Sequence, residues 1–325
     1  MSEQQQFEGE RWTTQTIKIL TKLGWRQVGD SNFDVHCDKK SIHGTGKGGE
    51  RRNDHGVDSL FTYHDPYLNE DLNIIVESKK RIWSGISKSS IQSFVEQLYM
   101  TVECANLSPK IQGLGCEGVN TGLLMIWCDE IEKYNYEKVI EYLSQIELPQ
   151  KKKPITLYVA TNHEILKWSS LIEYKAELER ECEEFNFFYP SDFYRGRKSM
   201  GAQKEYLNLI QLYSSYIFAK SRKRVEIYGT AKTIDITHVF FFAEPTKQEL
   251  EFMYQLLQGF QFEAASDEIH IHFYGEQTRF REGIAEFLRS TKRYFELNKE
   301  QQKIKINYMN ELKKVPEKYN VKEEV

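Results

Sequence analysis

The sequence predicts an α/β protein with two domains, and three observations lead to this prediction. The chain has 325 residues, more than one hydrophobic core usually serves. Its composition, 40% hydrophobic and 28% charged, is that of a globular protein and excludes wholesale disorder and fibrous repeats. Segments with helical apolar spacing alternate with short β-rich runs, an order typical of layered α/β folds. We place the two domains at residues 1–185 and 186–325.

The first domain begins with a helix and continues as strands and helices in alternation. Helical apolar spacing predicts helices over 10–23, 88–106, 134–147 and 162–184. Short apolar or β-branched runs predict strands over 25–29, 33–37, 56–63, 72–80, 123–127 and 155–160. The polar, glycine-rich stretch 38–55 is predicted to be an exposed loop.

The second domain follows a connecting stretch at 185–201. Its predicted helices cover 202–219, 246–259 and 278–290. Its predicted strands lie in the segments VEIYGT, THVFFFAEP and EIHIHFYG. The charged residues 310–325 are predicted to be a frayed tail.

Composition also limits the classes of partner. The net charge is −4, so nucleic acid must be bound through local patches rather than a general positive field. No run approaches the roughly 18 apolar residues of a membrane helix, and the N-terminus MSEQQQFEGE is polar, which argues against membrane insertion and a signal peptide. We therefore expect a cytoplasmic protein with no membrane partner.

Cysteine spacing predicts no zinc cluster, and a histidine-based metal site near Asp58 is an alternative without a matching motif. The five cysteines are dispersed, with no pair at CxxC spacing, which fits reduced thiols. Four histidines near the predicted hairpin match no ligand signature: His36, His43, His55 and His64.

The predicted hairpin 56–80 carries the most informative pattern. If its turn is centred between Tyr67 and Leu68, Asp58 lies directly opposite Glu77. Opposed side chains on one face are roughly 4.5–5.5 Å apart at Cβ, so two half-buried carboxylates there repel each other. A divalent cation is the obvious group to offset that repulsion.

Lys79 belongs to the same pattern. It follows Glu77 by two residues, so the strand period places both on one face. The apolar run 74–76 indicates a central, covered strand, and charges at the end of such a strand often mark functional sites. The alternative is that all three charges simply project into solvent at the end of the hairpin.

The order of these elements resembles the PD-(D/E)xK nuclease superfamily, which has the restriction-endonuclease-like fold. The matching residues are Asp58 in GVDSL and Glu77, Ser78 and Lys79 in IIVESKK. The first helix, which ends in LTKLGW, is similar to the opening helix of Mrr-like restriction enzymes. The resemblance covers residues 7–130.

The resemblance implies a mixed central sheet flanked by helices, here followed by a second, smaller α/β domain. It also implies hydrolysis of phosphodiester bonds with Mg²⁺ (or Mn²⁺). Asp58, Glu77 and the Ser78 carbonyl would bind the metal, and Lys79 would position the attacking water. Hard oxygen ligands suit these ions better than zinc.

Similar enzymes carry auxiliary polar residues on two helices. Glu8 and Glu10 are candidates for a glutamate on the first helix, although both are also favourable charges near a helix N-terminus. Gln97 is the preferred candidate on helix 88–106, and Gln92 is the alternative. Either glutamine is also compatible with a solvated helix flank.

Basic residues near the pattern and in the connecting stretch are candidate nucleic-acid contacts, because positive charge binds phosphate and neighbouring aromatic rings stack on bases. They are Lys47, Arg51, Arg52, Lys80, Arg195 and Arg197. The alternative for each is a solvated charged surface.

These observations predict a metal-dependent deoxyribonuclease of a bacterial restriction or anti-phage defence system. Residues 186–325 would bind a regulatory protein partner, sense a trigger or form a homo-oligomer. The alternative is a catalytically silent subunit that binds nucleic acid or scaffolds such a complex. A structural α/β protein without a nucleic-acid role is the third interpretation.

Overall fold

The computed structural model describes residues 3–44, 53–149, 154–190, 203–227, 229–262, 265–298 and 303–320. The chain forms two compact units. Residues 1–166 together with 313–325 make the first, and residues 167–312 make the second. Among the described residues, no helix combines the length and apolarity needed to cross a lipid bilayer.

The first unit contains a mixed five-stranded sheet. Its helices are α1 (Glu3–Lys22), α2 (Lys88–Ala105), α3 (Pro109–Gly113), α4 (Tyr136–Leu143) and the start of α5 (Asn162–Glu179). Its strands are β1 (Arg26–Gln27), β2 (Phe33–Val35), β3 (His55–Val57), β4 (Ser59–Asp65), β5 (Glu70–Arg81), β6 (Thr121–Cys128) and β7 (Thr156–Ala160). The sheet order is β1-β4-β5-β6-β7, with the first three strands antiparallel and β5, β6 and β7 parallel, while β2 and β3 form a separate antiparallel pair.

Helices cover both faces of this sheet because its central strands are apolar on both sides. All eight residues of β6 are buried. On one face, the indole of Trp12 in α1 stacks on Trp127 and donates to the Met125 carbonyl (3.3 Å). On the other face, Leu124 and Ile126 join the core formed with α2. The predicted mixed sheet flanked by helices is therefore confirmed.

The second unit contains a six-stranded sheet. Its strands are β8 (Glu184–Phe188), β9 (Gln203–Lys204), β10 (Tyr216–Ile227), β11 (Thr230–Phe241), β12 (Glu268–Tyr274) and β13 (Ile304–Met309), in the order β13-β12-β11-β10-β8-β9. Its helices are α6 (Leu209–Leu212), α7 (Lys247–Gly259) and α8 (Arg281–Leu297). Apolar residues of α7 and α8 pack with those of β11 and β12 in one core.

Two predicted elements of the second unit differ from the structure. The helix predicted over 202–219 is replaced by β9, the short α6 and the start of β10, because Tyr216–Ala219 pairs with β11 and its last two residues also pair with β8. The connecting stretch predicted at 185–201 begins with most of β8, a paired strand of the sheet. Aromatic side chains with high β-propensity outweigh the helical spacing there.

The division between the units lies earlier than the predicted boundary at 185. From Lys167 onward α5 packs within the second unit: the Trp168 indole donates to the Leu212 carbonyl (3.1 Å). The predicted frayed tail is wrong for the described residues 313–320, since Tyr319 is fully buried in the first unit.

Candidate active site

The β4–β5 hairpin positions the two predicted carboxylates. Ser59 pairs with Val76 and Asp65 with Glu70, which is the predicted register. Asp58 stands just before β4, so it lies at the level of Glu77 on β5. The Ser78 N–H donates to Asp58 Oδ2 at 2.6 Å and fixes that carboxylate beside β5.

Lys79 lies on the same face as Glu77. Its Nζ donates to Glu77 Oε1 and lies 5.9 Å from the centre of the Phe94 ring of α2. Arg81, two residues further along, lies 4.9 Å above the same ring. Glu77, Lys79 and Arg81 therefore form a charged stripe on the α2 side of the sheet.

Apolar neighbours make this charged stripe electrostatically costly. Glu77 and Lys79 pair with two residues of β6, Leu124 and Ile126. Both of these partners belong to the buried core. Burial, followed by the neighbouring Asp58 charge, raises the pKa of Glu77 to about 7, although Lys79 acts in the opposite direction. Burial also raises the pKa of Asp58, against the opposing effects of Lys79 and the Ser78 N–H.

The chemistry of the donor set fits a hard divalent cation. The carboxylates of Asp58 and Glu77 lie close enough to affect each other's charge, and the single lysine beside them cannot neutralise both. A cation bound to Asp58 and Glu77 would stabilise the ionised form of both groups. Oxygen donors of this kind suit Mg²⁺ or Mn²⁺.

Glu8 is not brought to the carboxylate pair. Lys80 points to the opposite face from Lys79, and its Nζ binds Glu8 Oε2 of α1 and Asp129 Oδ1 (3.2 Å). The strand period thus places Lys80 on the α1 side of the sheet, where it meets Glu8. Lys80, a predicted nucleic-acid contact, belongs to this ion-pair group. Glu10 is exposed on α1.

The glutamines of α2 have different environments. Gln97 is exposed, one helical turn from Phe94. Gln92 accepts from the Glu147 N–H (3.0 Å) and donates to the Glu147 carbonyl (2.8 Å), so it holds the chain after α4. The remaining predicted contacts lie outside the described residues: Lys47, Arg51, Arg52, Arg195 and Arg197.

The structure also gathers four residues that spacing did not connect. Ligand atoms of Cys37, His43, His55 and Cys104 all lie within 4.8 Å of one another, and all four residues are buried. The predicted exposed loop over 38–55 is thus wrong at His43 and His55. No local motif shows this group, since its members come from three separate segments.

Comparison with known families agrees with the geometry. Residues 1–164 match the family described as the GAPS4 protein PD-(D/E)XK nuclease domain. The chain belongs to this family. The match runs from α1 through β7 to the first residues of α5 and includes the whole β4–β5 hairpin. A search of curated proteins found no match.

Membership of the GAPS4 nuclease family confirms the superfamily suggested by GVDSL and IIVESKK. The first unit is therefore a nuclease domain of the PD-(D/E)XK type. Its hairpin brings together on one face Asp58, Glu77 and Lys79, the three residues predicted to form the motif.

Proposed function

We propose that this GAPS4-family protein is a metal-dependent deoxyribonuclease of a bacterial anti-phage defence system. One observation carries the proposal: a buried carboxylate (Glu77), a half-buried carboxylate (Asp58) and a lysine occupy one sheet face inside a domain that matches PD-(D/E)XK nucleases. Burying these charges without a compensating cation costs free energy of folding, and a position of this kind in a purely structural strand is expected to hold a hydrophobic residue.

Asp58 and Glu77 would hold Mg²⁺ or Mn²⁺, with the Ser78 carbonyl as a further oxygen. A bound metal would lower the pKa of its water ligand and polarise a phosphoryl oxygen. The N–H of Ser78 orients Asp58, because it donates to one of its two carboxylate oxygens and leaves the other available.

Lys79 would hold the attacking water and balance negative charge on the phosphate. Its ammonium contacts Glu77 and borders the Phe94 ring, so its position is restricted from two sides. Arg81 continues the stripe and would bind a neighbouring phosphate of the substrate.

We assign a regulatory role to the second unit. A net charge of −4 provides no general attraction for DNA, so cleavage would depend on a protein partner or on self-association. The six-stranded sheet of residues 167–312 lies outside the family match and is the candidate surface for that partner or for sensing a trigger. We place the reaction in the cytoplasm, where phage DNA would be met.

The test is cleavage by the purified full chain, alone and with the product of a neighbouring gene. Plasmid DNA, linear DNA and RNA are incubated with Mg²⁺ or Mn²⁺. We expect DNA cleavage that falls at least ~100-fold in Asp58→Ala and Lys79→Ala. Glu70→Gln, an exposed position on the same strand, is the matched control and should cleave normally.

Cleavage that survives unchanged in Asp58→Ala and Lys79→Ala would overturn the mechanism. Calorimetry with Mn²⁺ separates the proposal from the scaffolding alternative. A scaffold would bind no Mn²⁺, and its binding of DNA would not depend on the metal.

A further inference from the structure

A buried group of two cysteines and two histidines lies in the first unit. Cys37 follows β2, His43 lies in the turns after it, His55 opens β3, and Cys104 is near the end of α2. None of the four residues is more than 2% exposed. The group shares no residue with the carboxylates proposed to bind Mg²⁺.

The distances from His43 Nδ1 to the other three ligand atoms are those of a tetrahedral site. His43 Nδ1 lies 3.5 Å from Cys37 Sγ, 3.5 Å from Cys104 Sγ and 3.2 Å from His55 Nε2. Around a zinc ion with bonds of about 2.3 Å to sulfur and about 2.05 Å to nitrogen, neighbouring S and N atoms are roughly 3.5 Å apart, and two N atoms roughly 3.3 Å. The three distances from His43 Nδ1 therefore match those around one ion, and the ligand atoms of all four residues lie within 4.8 Å of one another.

The second nitrogen of His43 sets its tautomer. His43 Nε2 lies 2.8 Å from Glu103 Oε2, and Lys39 Nζ lies 2.7 Å from the other oxygen of that carboxylate. An ionised carboxylate only accepts hydrogen bonds, so Nε2 carries the proton and Nδ1 presents its lone pair to the group. A carboxylate behind a histidine is the usual arrangement that orients a metal ligand.

A single hydrogen bond to His43 Nδ1 does not account for this arrangement. One lone pair on Nδ1 faces two sulfur atoms and a nitrogen at similar distances, and it can fully satisfy one donor. A cation at the centre would instead use a lone pair of each of the four atoms. Sulfur together with imidazole selects zinc over Mg²⁺ or Ca²⁺.

A histidine group in the second unit provides a contrast. His238, His270 and His272 also lie close together. There, His238 contacts Ser221 (2.7 Å) and His272 (2.8 Å), and His272 contacts Tyr174 (2.9 Å). Both nitrogens of each of these two rings are thus satisfied by hydrogen bonds, and the group needs no ion.

We propose that Cys37, His43, His55 and Cys104 bind one structural Zn²⁺ ion. Four protein ligands close the coordination sphere, which is typical of structural rather than catalytic zinc. Binding releases the two thiol protons to solvent as the thiolates form. The ion would join the segment after β2 and the start of β3 to α2.

This zinc site would also support the nuclease site without taking part in its chemistry. His55 is the first residue of β3, and the chain passes from β3 directly to Asp58. Fixing His55 to α2 therefore limits the movement of the chain that presents Asp58.

The test measures metal in the full chain, expressed with added zinc and purified without a histidine tag. Elemental analysis should find about one zinc ion per chain. Cells grown with cobalt should yield protein with the visible bands of tetrahedral Co²⁺ and a thiolate-to-cobalt charge-transfer band. Folded wild-type protein with neither zinc nor this cobalt spectrum, or with a Cys37–Cys104 disulfide, would overturn the proposal.

Variants locate the ion and separate it from the nuclease proposal. Cys37→Ser and Cys104→Ser should lose the zinc, whereas the buried-cysteine control Cys116→Ser should keep it. Asp58→Ala should lose cleavage and keep zinc, so failure of either proposal leaves the other measurable. Zinc that stays in both cysteine variants, or disappears in His238→Gln, would contradict the site.

Discussion

The charge of Glu77 should destabilise the protein when no divalent cation occupies the hairpin site. Its pKa is raised from the ordinary 4.5 to about 7, chiefly by burial and then by the neighbouring Asp58. We therefore expect Glu77→Gln to unfold at a higher temperature than the wild type at pH 8 without Mg²⁺ or Mn²⁺. Glutamine keeps the shape and an oxygen for Lys79 but removes the buried negative charge.

The size of this effect follows from linkage between protonation and folding. The folded state binds the Glu77 proton more tightly than the unfolded state, so stability is lost as pH rises through the window from 4.5 to about 7. Each pH unit in that window corresponds to ~1.4 kcal/mol, which gives an upper value of roughly 3 kcal/mol above pH 7. Because glutamine also weakens the contact with Lys79, we expect a net gain of about 1–3 kcal/mol in the free energy of unfolding. Each kcal/mol raises the melting temperature by some 2–4 °C.

The assay is thermal unfolding at pH 8 and at pH 5, in buffer freed of Mg²⁺ and Mn²⁺ by a chelating resin. EDTA is omitted so that zinc at the proposed cysteine–histidine site stays in place. The advantage of Glu77→Gln should shrink at pH 5, where the wild-type carboxyl is protonated. The control Glu70→Gln, exposed on the same strand, should show no such pH dependence. A variant less stable than the wild type at pH 8, or an advantage that is equal at both pH values, would refute the reasoning.

Three further predictions concern the same sheet. Lys80→Met should lower the free energy of unfolding in urea by roughly 1–2 kcal/mol, because it breaks the ion pair with Glu8. The variant should retain cleavage, and loss of cleavage in a stable protein would mean that Lys80 binds substrate. Gly122→Ala should cost about 1–3 kcal/mol in the same assay, since the new Cβ would lie 2.9 Å from Leu98 Cγ; an unchanged unfolding midpoint would contradict this. Mn²⁺ at 100 times its Kd should stabilise the wild type by about 2.7 kcal/mol and leave the melting temperature of Glu77→Gln nearly unchanged; equal shifts would place the ion elsewhere.

The grouping of Asp58, Glu77 and Lys79 could be predicted from the sequence because all three residues belong to one hairpin. The turn HDPYLNED sets the pairing of β4 with β5, and pairing then fixes which residue faces Glu77. Strand period alone put Lys79 on that face, and the structure agrees. The order of the elements indicated the superfamily, and the family match confirms that superfamily.

Contacts between segments far apart in the chain could not be predicted from the sequence. Glu8 was a candidate because it lies on the first helix, but the choice of sheet face depends on how α1 packs, which Trp12 and Trp127 decide. The cysteine–histidine group joins residues 37 and 104, so no spacing rule connects them. The run 202–219 was ambiguous because its strand partners, β8 and β11, lie outside it.

The two proposed metal sites have opposite donor chemistry, and this affects how metal dependence must be measured. Asp58 and Glu77 offer oxygen, whereas the cysteine–histidine group offers sulfur and nitrogen, so the sites should differ in the ions they retain. EDTA would remove ions from both, and loss of cleavage in EDTA would not identify the catalytic metal. We expect Mg²⁺ alone to restore cleavage after brief dialysis that leaves zinc in place. After full removal of zinc, restoration should require Zn²⁺ together with Mg²⁺, as measured by cleavage and elemental analysis of the same sample. Full recovery with Mg²⁺ in a zinc-free sample would show that the approach to Asp58 holds its shape without the second ion.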